Sequence, residues 1–308
     1  MRRKFEEPDA AELTLSPYQE MKIEEDGFKG TLYVPHKDDN KGKALILLGG
    51  MDGSYRITQL AAEQFAKHGM TALVVAYFNQ EGLEDSIERI PLEIVKKAAE
   101  WLKSKVYYKV GVWGISTGAQ YGLLAASYFP ELISCAVGVC PNSVCTQGLR
   151  VKTQKVRKME VSPYSAFTFE GKELPYEKLS VSRFKIWWDT FRSRSLTYLS
   201  CFKGVVENAA EEAQIPVERI SGPVLLLSPE NDTIWYSREA AQAIQDRLKE
   251  KNFRHKAEYH QYEYASHLLL PCSLKTAEVF AVERKYPEKC RETDSASLED
   301  TLRFLKEW

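Results

Sequence analysis

Residues 109–120 read Lys-Val-Gly-Val-Trp-Gly-Ile-Ser-Thr-Gly-Ala-Gln, an apolar run that leads into Gly-x-Ser-x-Gly. The apolar part predicts a short buried strand, and residues 119–129 predict the helix that follows it. A serine held in so tight a turn needs neighbours without bulk where the backbone doubles back. The turn lifts the Ser116 hydroxyl above the sheet and puts the amide of Thr117 at a helix N-terminus, where developing negative charge is stabilised.

This strand–turn–helix pattern resembles the nucleophile elbow of the α/β-hydrolases. Gly-x-Ser-x-Gly alone is weak evidence, because glycine and serine are common and ordinary turns between a strand and a helix contain them too. The strand before the motif and the helix after it favour the elbow. Ser116 is therefore the candidate nucleophile.

The length of the chain, 308 residues, fits one large α/β domain or two smaller ones. Its formal net charge of −1 does not suggest binding of nucleic acid or of a membrane surface through bulk charge. No apolar run approaches the length of a membrane span, and no apolar segment of a signal peptide follows the basic N-terminus. We therefore expect no nucleic-acid partner and no membrane span.

Six cysteines are scattered along the chain and form neither a Cys-x-x-Cys pair nor a disulfide framework. Cys135 and Cys140 lie in or beside a predicted strand, so we expect buried thiols there. Reduced cysteines fit a reducing compartment, and the predicted location is the cytoplasm.

Strands and helices alternate along the first half of the chain, which requires a parallel sheet with helices on both faces. The apolar run 44–48 is typical of a parallel strand buried on both sides. The predicted fold is a single α/β-hydrolase domain over 1–308, with a mostly parallel central sheet flanked by helices. The predicted strands are 28–34, 44–48, 71–76, the run ahead of Ser116, 133–139, 224–227 and 257–262, and the predicted helices are 57–68, 91–103, 119–129, 237–249 and 297–306.

The alternation stops between residues 143 and 215, which predicts a cap or lid inserted after the sixth strand. Its aromatic residues either line an acyl pocket or pack the cap onto the core, and we expect packing for most of them. A basic cluster in the same region either holds an anionic group of the substrate or forms a solvated face. The aromatic residues are Tyr164, Phe167, Phe169, Phe184, Trp187, Trp188, Phe191, Tyr198 and Phe202, and the basic cluster is Arg150, Lys152, Lys155, Arg157 and Lys158.

A serine nucleophile needs a base, and the base needs a carboxylate that orients it. In this fold the chain order is serine, acid, histidine. His255 and His260 lie before or within the predicted last strand, whereas His267 lies in the loop beyond it, at the end that a serine on the elbow can reach. His267 is the candidate base, and a purely structural histidine is the alternative.

Asp232 follows the carboxyl end of a buried strand and precedes a helix, a position where open parallel sheets form their sites. The alternative is an aspartate that only caps a helix or closes a turn, because asparagine and aspartate, as at Asn231-Asp232, are also common in turns. Glu230 is the rival acid. We favour Asp232 as the carboxylate that orients His267.

The loop 49–54, Gly-Gly-Met-Asp-Gly-Ser, also follows a buried strand. Folds of this kind place one half of the oxyanion hole there. We expect the backbone amides of Met51 and Thr117 to bind the oxyanion. The alternative is a flexible turn without a chemical role.

Taken together, these motifs resemble the C-terminal catalytic domain shared by acyl-CoA thioester hydrolases and bile acid-CoA:amino acid N-acyltransferase, a domain related to the dienelactone hydrolases. The likeness covers Ala44 to Trp308, although the family often has lysine where Thr117 stands. It is carried by Ala-Tyr-Phe-Asn at 76–79, Pro-Leu-Glu at 91–93, Gly-Ile-Ser-Thr-Gly-Ala at 114–119, Glu-Asn-Asp at 230–232 with Trp235, and Ser-His-Leu at 266–268 with Pro271.

The resemblance implies an acyl-enzyme that forms from an acyl-CoA and is released to water or to an amino acid. In this family a serine nucleophile goes with hydrolysis and a cysteine with amino-acid conjugation, so Ser116 implies hydrolysis. Eukaryotic members carry a β-sandwich domain ahead of the catalytic one. Only about forty residues precede the first core strand here, so we expect no such domain and carry over none of its substrate contacts.

Three functions fit these observations. The leading expectation is a serine hydrolase that cleaves acyl thioesters through a Ser-His-Asp triad and an acyl-enzyme. The alternatives are a carboxylesterase or dienelactone hydrolase-like esterase with the same triad, and a catalytically inactive hydrolase-fold binding protein, against which the intact triad argues. We expect a small-molecule acyl thioester or ester as substrate and neither a cofactor nor a metal. The sequence leaves open the acyl chain, the leaving group, hydrolysis against acyl transfer, and the oligomeric state.

Overall fold

The computed structural model of the chain describes residues 19–37, 40–51, 55–151 and 159–308. Eight strands form one sheet in the order β1-β2-β4-β3-β6-β7-β12-β13. The first two strands pair antiparallel to their neighbours, and the six from β4 to β13 run parallel to one another. The predicted mostly parallel sheet is confirmed.

The strands are short, and the helices mostly follow them in alternation. The strands are β1 Gln19–Met21, β2 Lys29–Tyr33, β3 Lys43–Leu48, β4 Thr71–Ala76, β5 Ile90–Pro91, β6 Lys109–Ile115, β7 Ala136–Val139, β8 Gln147–Val151, β9 Met159–Ser165, β10 Phe167–Phe169, β11 Lys172–Glu173, β12 Val224–Pro229 and β13 Ala257–Tyr262. The helices are α1 Ile23–Asp26, α2 Tyr55–Lys67, α3 Glu93–Lys103, α4 Thr117–Tyr128, α5 Arg183–Ser193, α6 Ser237–Glu250, α7 Ala281–Lys285 and α8 Pro287–Glu307.

Two hydrophobic clusters cover the two faces of the sheet. Along β3, Ile46 and Leu48 belong to the cluster that α3, α4 and α6 complete, whereas Leu45 and Leu47 belong to the one that α2 and α8 complete. Alternate residues of a strand point to opposite faces, so a strand covered on both sides must be apolar throughout. This is why the continuous run 44–48 predicted a central strand correctly.

Besides short elements that were not predicted and smaller shifts at other ends, the structure differs from the predicted elements at the starts of α3, β7 and α8. Helix α3 begins at Glu93 because the residues before it form β5, which pairs with β10 of the inserted region. Strand β7 begins at Ala136 rather than at 133. Helix α8 begins at Pro287, with proline in its first turn, well before the predicted start at 297, because its early turns are polar and carry little apolar periodicity.

The chain leaves the main sheet between β7, the sixth strand of that sheet along the sequence, and β12. Strands β8 and β9 form an antiparallel hairpin, and β10 joins β5 and β11 in a small separate sheet. The ring of Phe167 stacks on Tyr121 of α4 at a centroid distance of 5.0 Å, and Tyr121 stacks on Tyr77 at 4.6 Å. The predicted cap, 143–215, lies within this excursion, and its role as a lid stays a prediction.

The nine aromatic residues of the excursion divide into three groups, of which Tyr164 and Phe169 are half-buried. Phe167, Tyr198 and Phe202 are buried, as the packing interpretation predicted. Four others, all on α5, are exposed; they are Phe184, Trp187, Trp188 and Phe191. Cys135 and Cys140 are buried free thiols, as predicted. In the described part of the chain no helix is both long and apolar enough to cross a membrane.

Helix α8 is joined to the loop after β13 by the half-buried carboxyl of Asp294. The Ser273 hydroxyl donates a hydrogen bond of 2.9 Å to Oδ2 of Asp294. Burial raises the pKa of Asp294 to about 7; the hydrogen bond from Ser273 opposes this shift and the nearby charge of Glu283 adds to it. A carboxyl whose pKa is higher in the folded state than in the unfolded state destabilises the fold at pH values above its unfolded pKa. Its cost to stability therefore grows as the pH rises from the unfolded value of 3.8 towards 7.

We expect Asp294→Asn to stabilise the protein at pH 7.5 by on the order of 2 kcal/mol, after a discount for the partial exposure of the site, and to change stability little near pH 4. Urea unfolding at several pH values between these limits measures the difference. Glu299→Gln, at an exposed position on the same helix, is the matched control. An equal gain at both ends of the range would contradict the assignment.

Candidate active site

The predicted elbow is present between β6 and α4. Ser116 has φ 58° and ψ −125°, a conformation that non-glycine residues rarely adopt and that clusters at functional sites. Its amide donates to the carbonyl of Val139 at 2.9 Å, which ties the turn to β7. The strained turn is thus held by the neighbouring strand, and Ser116 Oγ stands beyond the carboxyl end of the sheet.

The two glycines of the motif are required by close backbone contacts. A Cβ at Gly114 would lie 2.2 Å from the carbonyl oxygen of Gly118. A Cβ at Gly118 would lie 2.2 Å from the carbonyl oxygen of Leu48 and 2.4 Å from that of Gly49. Backbone atoms cannot move aside as a side-chain end can, so both positions must be glycine. Through the same contact, the first turn of α4 packs directly against the end of β3.

Ser116, His267 and Asp232 form one hydrogen-bonded chain. The Ser116 hydroxyl lies 2.7 Å from Nε2 of His267, and Nδ1 of His267 lies 2.7 Å from Oδ2 of Asp232. All three side chains are buried, with exposed fractions of 5%, 6% and 9% in that order. With Nδ1 donating to the carboxylate, Nε2 is left as the acceptor that faces the serine. This arrangement can remove a proton from Ser116 and store it on the imidazole.

Both oxygens of the Asp232 carboxylate accept hydrogen bonds. Its Oδ1 accepts from the amide of Ile234 at 2.8 Å, and its Oδ2 also accepts from the Ser237 hydroxyl at 2.6 Å. Ser237 is completely buried at the start of α6. These bonds fix the carboxylate plane that faces His267. Sequence reasoning missed Ser237, although a serine five residues after the candidate acid, at the start of a helix, was a signal that could have found it.

A second group of contacts fixes the backbone around His267. The Trp235 ring meets the imidazole edge to face at a centroid distance of 5.5 Å, and its Nε1 donates to the carbonyl of Cys140 at 3.0 Å. The Cys140 thiol donates to the carbonyl of His267 at 3.4 Å. Trp235 appeared in the sequence only as part of a family likeness, and the contact with Cys140 joins residues 95 positions apart. No local pattern could have predicted that contact.

The rival residues lie elsewhere. His260 lies 3.0 Å from Glu258 and 3.4 Å from Asp300, in an ion-pair network on β13 and α8. His255 packs on the ring of Phe253. Glu230 follows β12 with a half-buried side chain, and Asp232 rather than Glu230 is the acid that reaches His267.

The structure also brings the predicted oxyanion loop beside the elbow. Gly49 and Met51 follow β3, whose end contacts Gly118, and the Tyr77 hydroxyl donates to the carbonyl of Gly49 at 2.6 Å. Thr117 is the first residue of α4, so its amide has no carbonyl acceptor within the helix. Residues 52–54 of this loop lie outside the described residues. Oxyanion binding by the amides of Met51 and Thr117 stays a prediction.

Cys140, Asp232 and His267 each place one possible metal ligand within 4.8 Å of the others. Their hydrogen bonds account for this grouping without a metal, because both ring nitrogens of His267 already have partners. Burial raises the pKa of the Cys140 thiol well above its usual value, so the sulfur keeps its proton rather than becoming a thiolate ligand. Cys140, Asp232 and His267 are best described as a hydrogen-bonded cluster.

A third hydrophobic cluster, formed largely by the excursion, borders the site. Tyr198, Phe202 and Trp235 belong to it, and Met51 packs against it. The basic cluster predicted nearby is described only at Arg150, which pairs with Glu88 at 2.8 Å. The hydrogen bond from Arg150 lowers the pKa of Glu88. The other four members, Lys152, Lys155, Arg157 and Lys158, lie outside the described residues.

We expect Gly118→Ala to destabilise the protein by about 3 kcal/mol or more, because the added methyl group meets backbone carbonyls that cannot relax. Gly122→Ala is the matched control, since a Cβ there would lie 3.3 Å from the flexible end of Leu48 and in ordinary contact with Val112, with no backbone atom among these nearest neighbours. Chemical denaturation of both variants measures the difference. Equal stability of the two would mean that the elbow tolerates a side chain at position 118.

Comparison with known proteins identifies the family of this site. Residues 90–282 match the family described as BAAT / Acyl-CoA thioester hydrolase C terminal, and the match includes the elbow, the acid and the histidine. Among its relatives, mouse acyl-coenzyme A amino acid N-acyltransferase 1 is 27% identical over 81% of this chain and 53% of its own length. Human acyl-coenzyme A thioesterase 1 is 25% identical over 70% of this chain and 47% of its own length. The chain thus spans about half the length of these relatives.

Solved structures agree on the fold. MGS-M1, an alpha/beta hydrolase enzyme from a deep-sea metagenome library, superposes with a TM-score of 0.54 at 14% identity, covering 94% of this chain and 96% of that one. A Klebsiella pneumoniae protein named for the dienelactone hydrolases gives 0.53 at 12% identity, covering 91% and 93%. Such low identity shows the fold alone. The α/β-hydrolase prediction is confirmed, and the chain belongs to the BAAT / acyl-CoA thioester hydrolase C-terminal family.

Proposed function

We propose that this protein is a serine hydrolase that cleaves acyl thioesters of the acyl-CoA type through Ser116, His267 and Asp232. The observation that carries the proposal is the hydrogen-bonded chain between these side chains, with both links at 2.7 Å. That distance lies within the range expected of a nucleophile and its base. Membership of a family that contains thioesterases and acyltransferases supports an acyl carbonyl as the reacting group.

In the proposed first half-reaction, Ser116 Oγ attacks the carbonyl carbon while Nε2 of His267 takes its proton. The negative charge that moves to the carbonyl oxygen is bound by the backbone amides of Met51 and Thr117. Asp232 holds the imidazole in the required tautomer and stabilises its charged form. Collapse of the intermediate breaks the bond to the leaving thiolate, which receives the proton from His267 and leaves an acyl ester on Ser116.

In the second half-reaction His267 removes a proton from water, which attacks the acyl ester. The tetrahedral intermediate collapses with return of the proton to Ser116 Oγ and release of the carboxylic acid. An amino acid could take the place of water, since some relatives are named amino acid N-acyltransferases. The serine nucleophile favours hydrolysis, as the family resemblance implies. An esterase acting on oxygen esters is the alternative, supported by the hydrolase fold.

We expect His267→Ala to lower the rate of labelling by a fluorophosphonate probe by roughly a thousandfold or more, because the hydroxyl loses its base. Ser116→Ala should abolish labelling. His260→Ala is the matched control and should label like the parent protein, since its ring lies in the network with Glu258 and Asp300. Equal effects of the two histidine variants, or labelling that survives loss of Ser116, would refute the triad and favour the binding-protein alternative.

A substrate panel tests the proposed leaving group. We expect acyl-CoA thioesters to be hydrolysed with a higher kcat/KM than p-nitrophenyl esters of the same acyl chain, and free CoA to appear with an equal amount of fatty acid. Adding glycine or taurine measures acyl transfer in the same reaction. Efficient ester cleavage without thioester cleavage would support the esterase alternative, and formation of the amide product would support the transferase.

A further inference from the structure

Helix α5 lies at the surface of the protein. None of its residues is buried, and four large aromatic side chains project from it into solvent. The exposed fractions are 73% for Phe184, 54% for Trp187, 47% for Trp188 and 67% for Phe191. Their spacing of three, four and seven positions places all four on one side of the helix, which we call the aromatic face of α5.

The aromatic face forms a continuous apolar surface. Trp187 stacks on Phe191 with a centroid distance of 5.8 Å and an interplanar angle of 12°. Phe184 packs on Trp187 at 6.1 Å, and Trp188 lies 6.4 Å from Phe191. The side chain that anchors the helix is Ile186, which packs against the cluster that contains Trp235. An exposed aromatic surface of this kind marks an interaction site rather than a core.

The segment that carries the aromatic face is basic. Residues 178–203 contain six lysines and arginines and one acidic residue, in a chain whose net charge is −1. Arg183 and Lys185 make ion pairs with Glu160 and Asp189. Arg192 and Arg194, at the end of the helix, are exposed and lie in no ion pair of the described residues. The net charge of the whole chain, −1, therefore gives no sign of this local basic segment.

Helices that lie in the interface of a bilayer typically carry tryptophan and phenylalanine on one side and arginine and lysine beside them. A second copy of the chain fits less well, because the two aromatic faces would bring two basic rims together. We propose that the aromatic face of α5 inserts into the interfacial region of a bilayer that contains anionic lipids, with Arg192 and Arg194 against the headgroups.

This docking would orient the excursion towards the membrane. Because Ile186 packs on the cluster that holds Trp235, the bound helix lies on the same side of the molecule as the cluster that borders Ser116 and His267. Binding to vesicles is measured without turnover. The proposal therefore stands or fails independently of the proposed hydrolase function.

The test is cosedimentation of the full chain with vesicles of phosphatidylcholine alone and with vesicles of equal parts phosphatidylcholine and phosphatidylserine. We expect binding to the anionic vesicles and much weaker binding to the neutral ones. Trp187→Ser with Trp188→Ser should weaken anionic binding by about tenfold or more, and so should Arg192→Glu with Arg194→Glu. Quenching of tryptophan fluorescence by brominated acyl chains should be reduced in the tryptophan variant.

Matched controls use exposed residues away from α5. Val106→Ser removes an apolar side chain that is 77% exposed, and Lys41→Glu with Arg254→Glu removes two exposed charges; both variants should bind like the parent protein. Phe184→Ser with Phe191→Ser repeats the test on the other two rings if the tryptophan variant folds poorly. Thermal unfolding checks each variant.

Three results would overturn the proposal. The first is failure of the parent protein to bind anionic vesicles. The second is unchanged binding by folded variants of the aromatic face. The third is a concentration-dependent dimer in analytical ultracentrifugation that the tryptophan variant abolishes, since the aromatic face would then be covered by a second copy.

Discussion

The site depends on one contact between two stretches of backbone. The first turn of α4 lies so close to the end of β3 that a Cβ at Gly118 would lie 2.2 Å from the carbonyl oxygen of Leu48. This contact fixes the height of the elbow above the sheet and the position of the loop after β3 together. The strained backbone of Ser116 and the neighbourhood of Met51 are therefore two results of the same packing, and a side chain at Gly118 would disturb both.

From that contact the site extends across the carboxyl ends of neighbouring parallel strands. Ser116 follows β6, Cys140 follows β7, Asp232 follows β12 and His267 lies in the loop after β13. Adjacent parallel strands deliver these residues to one edge although they are far apart in the sequence. Hydrogen bonds from Ser237, and from the Trp235 indole to the Cys140 carbonyl, then hold acid and histidine loops in place. The sheet topology thus brings Ser116, Asp232 and His267 close together. The side chains of Ser237 and Trp235 orient the acid and the histidine.

The sequence predicted the central sheet well because its strands are buried on both faces and are therefore apolar throughout, as 44–48 shows. It also predicted which of three histidines meets Ser116, since only His267 lies beyond the last strand. It failed where structure depends on contacts between distant residues. The residues before α3 pair with β10, and Trp235 bonds to Cys140, and neither contact has a local pattern. The expectation that most aromatic residues of the excursion pack inward did not single out the four on α5 that face solvent, because composition does not reveal which side of a helix faces the core.

If Ser116 and His267 act as we propose, their burial, at 5% and 6% exposed, has a kinetic consequence. If segments that cover Ser116 Oγ had to separate before an acyl carbonyl reached it, opening and bond formation would be successive events. If opening is the slower event, the observed turnover would report the frequency of that motion, and it would fall as solvent viscosity rises. Substrates with very different intrinsic reactivity would then be converted at nearly the same maximal rate, and selection between them would come from the time each one remains inside.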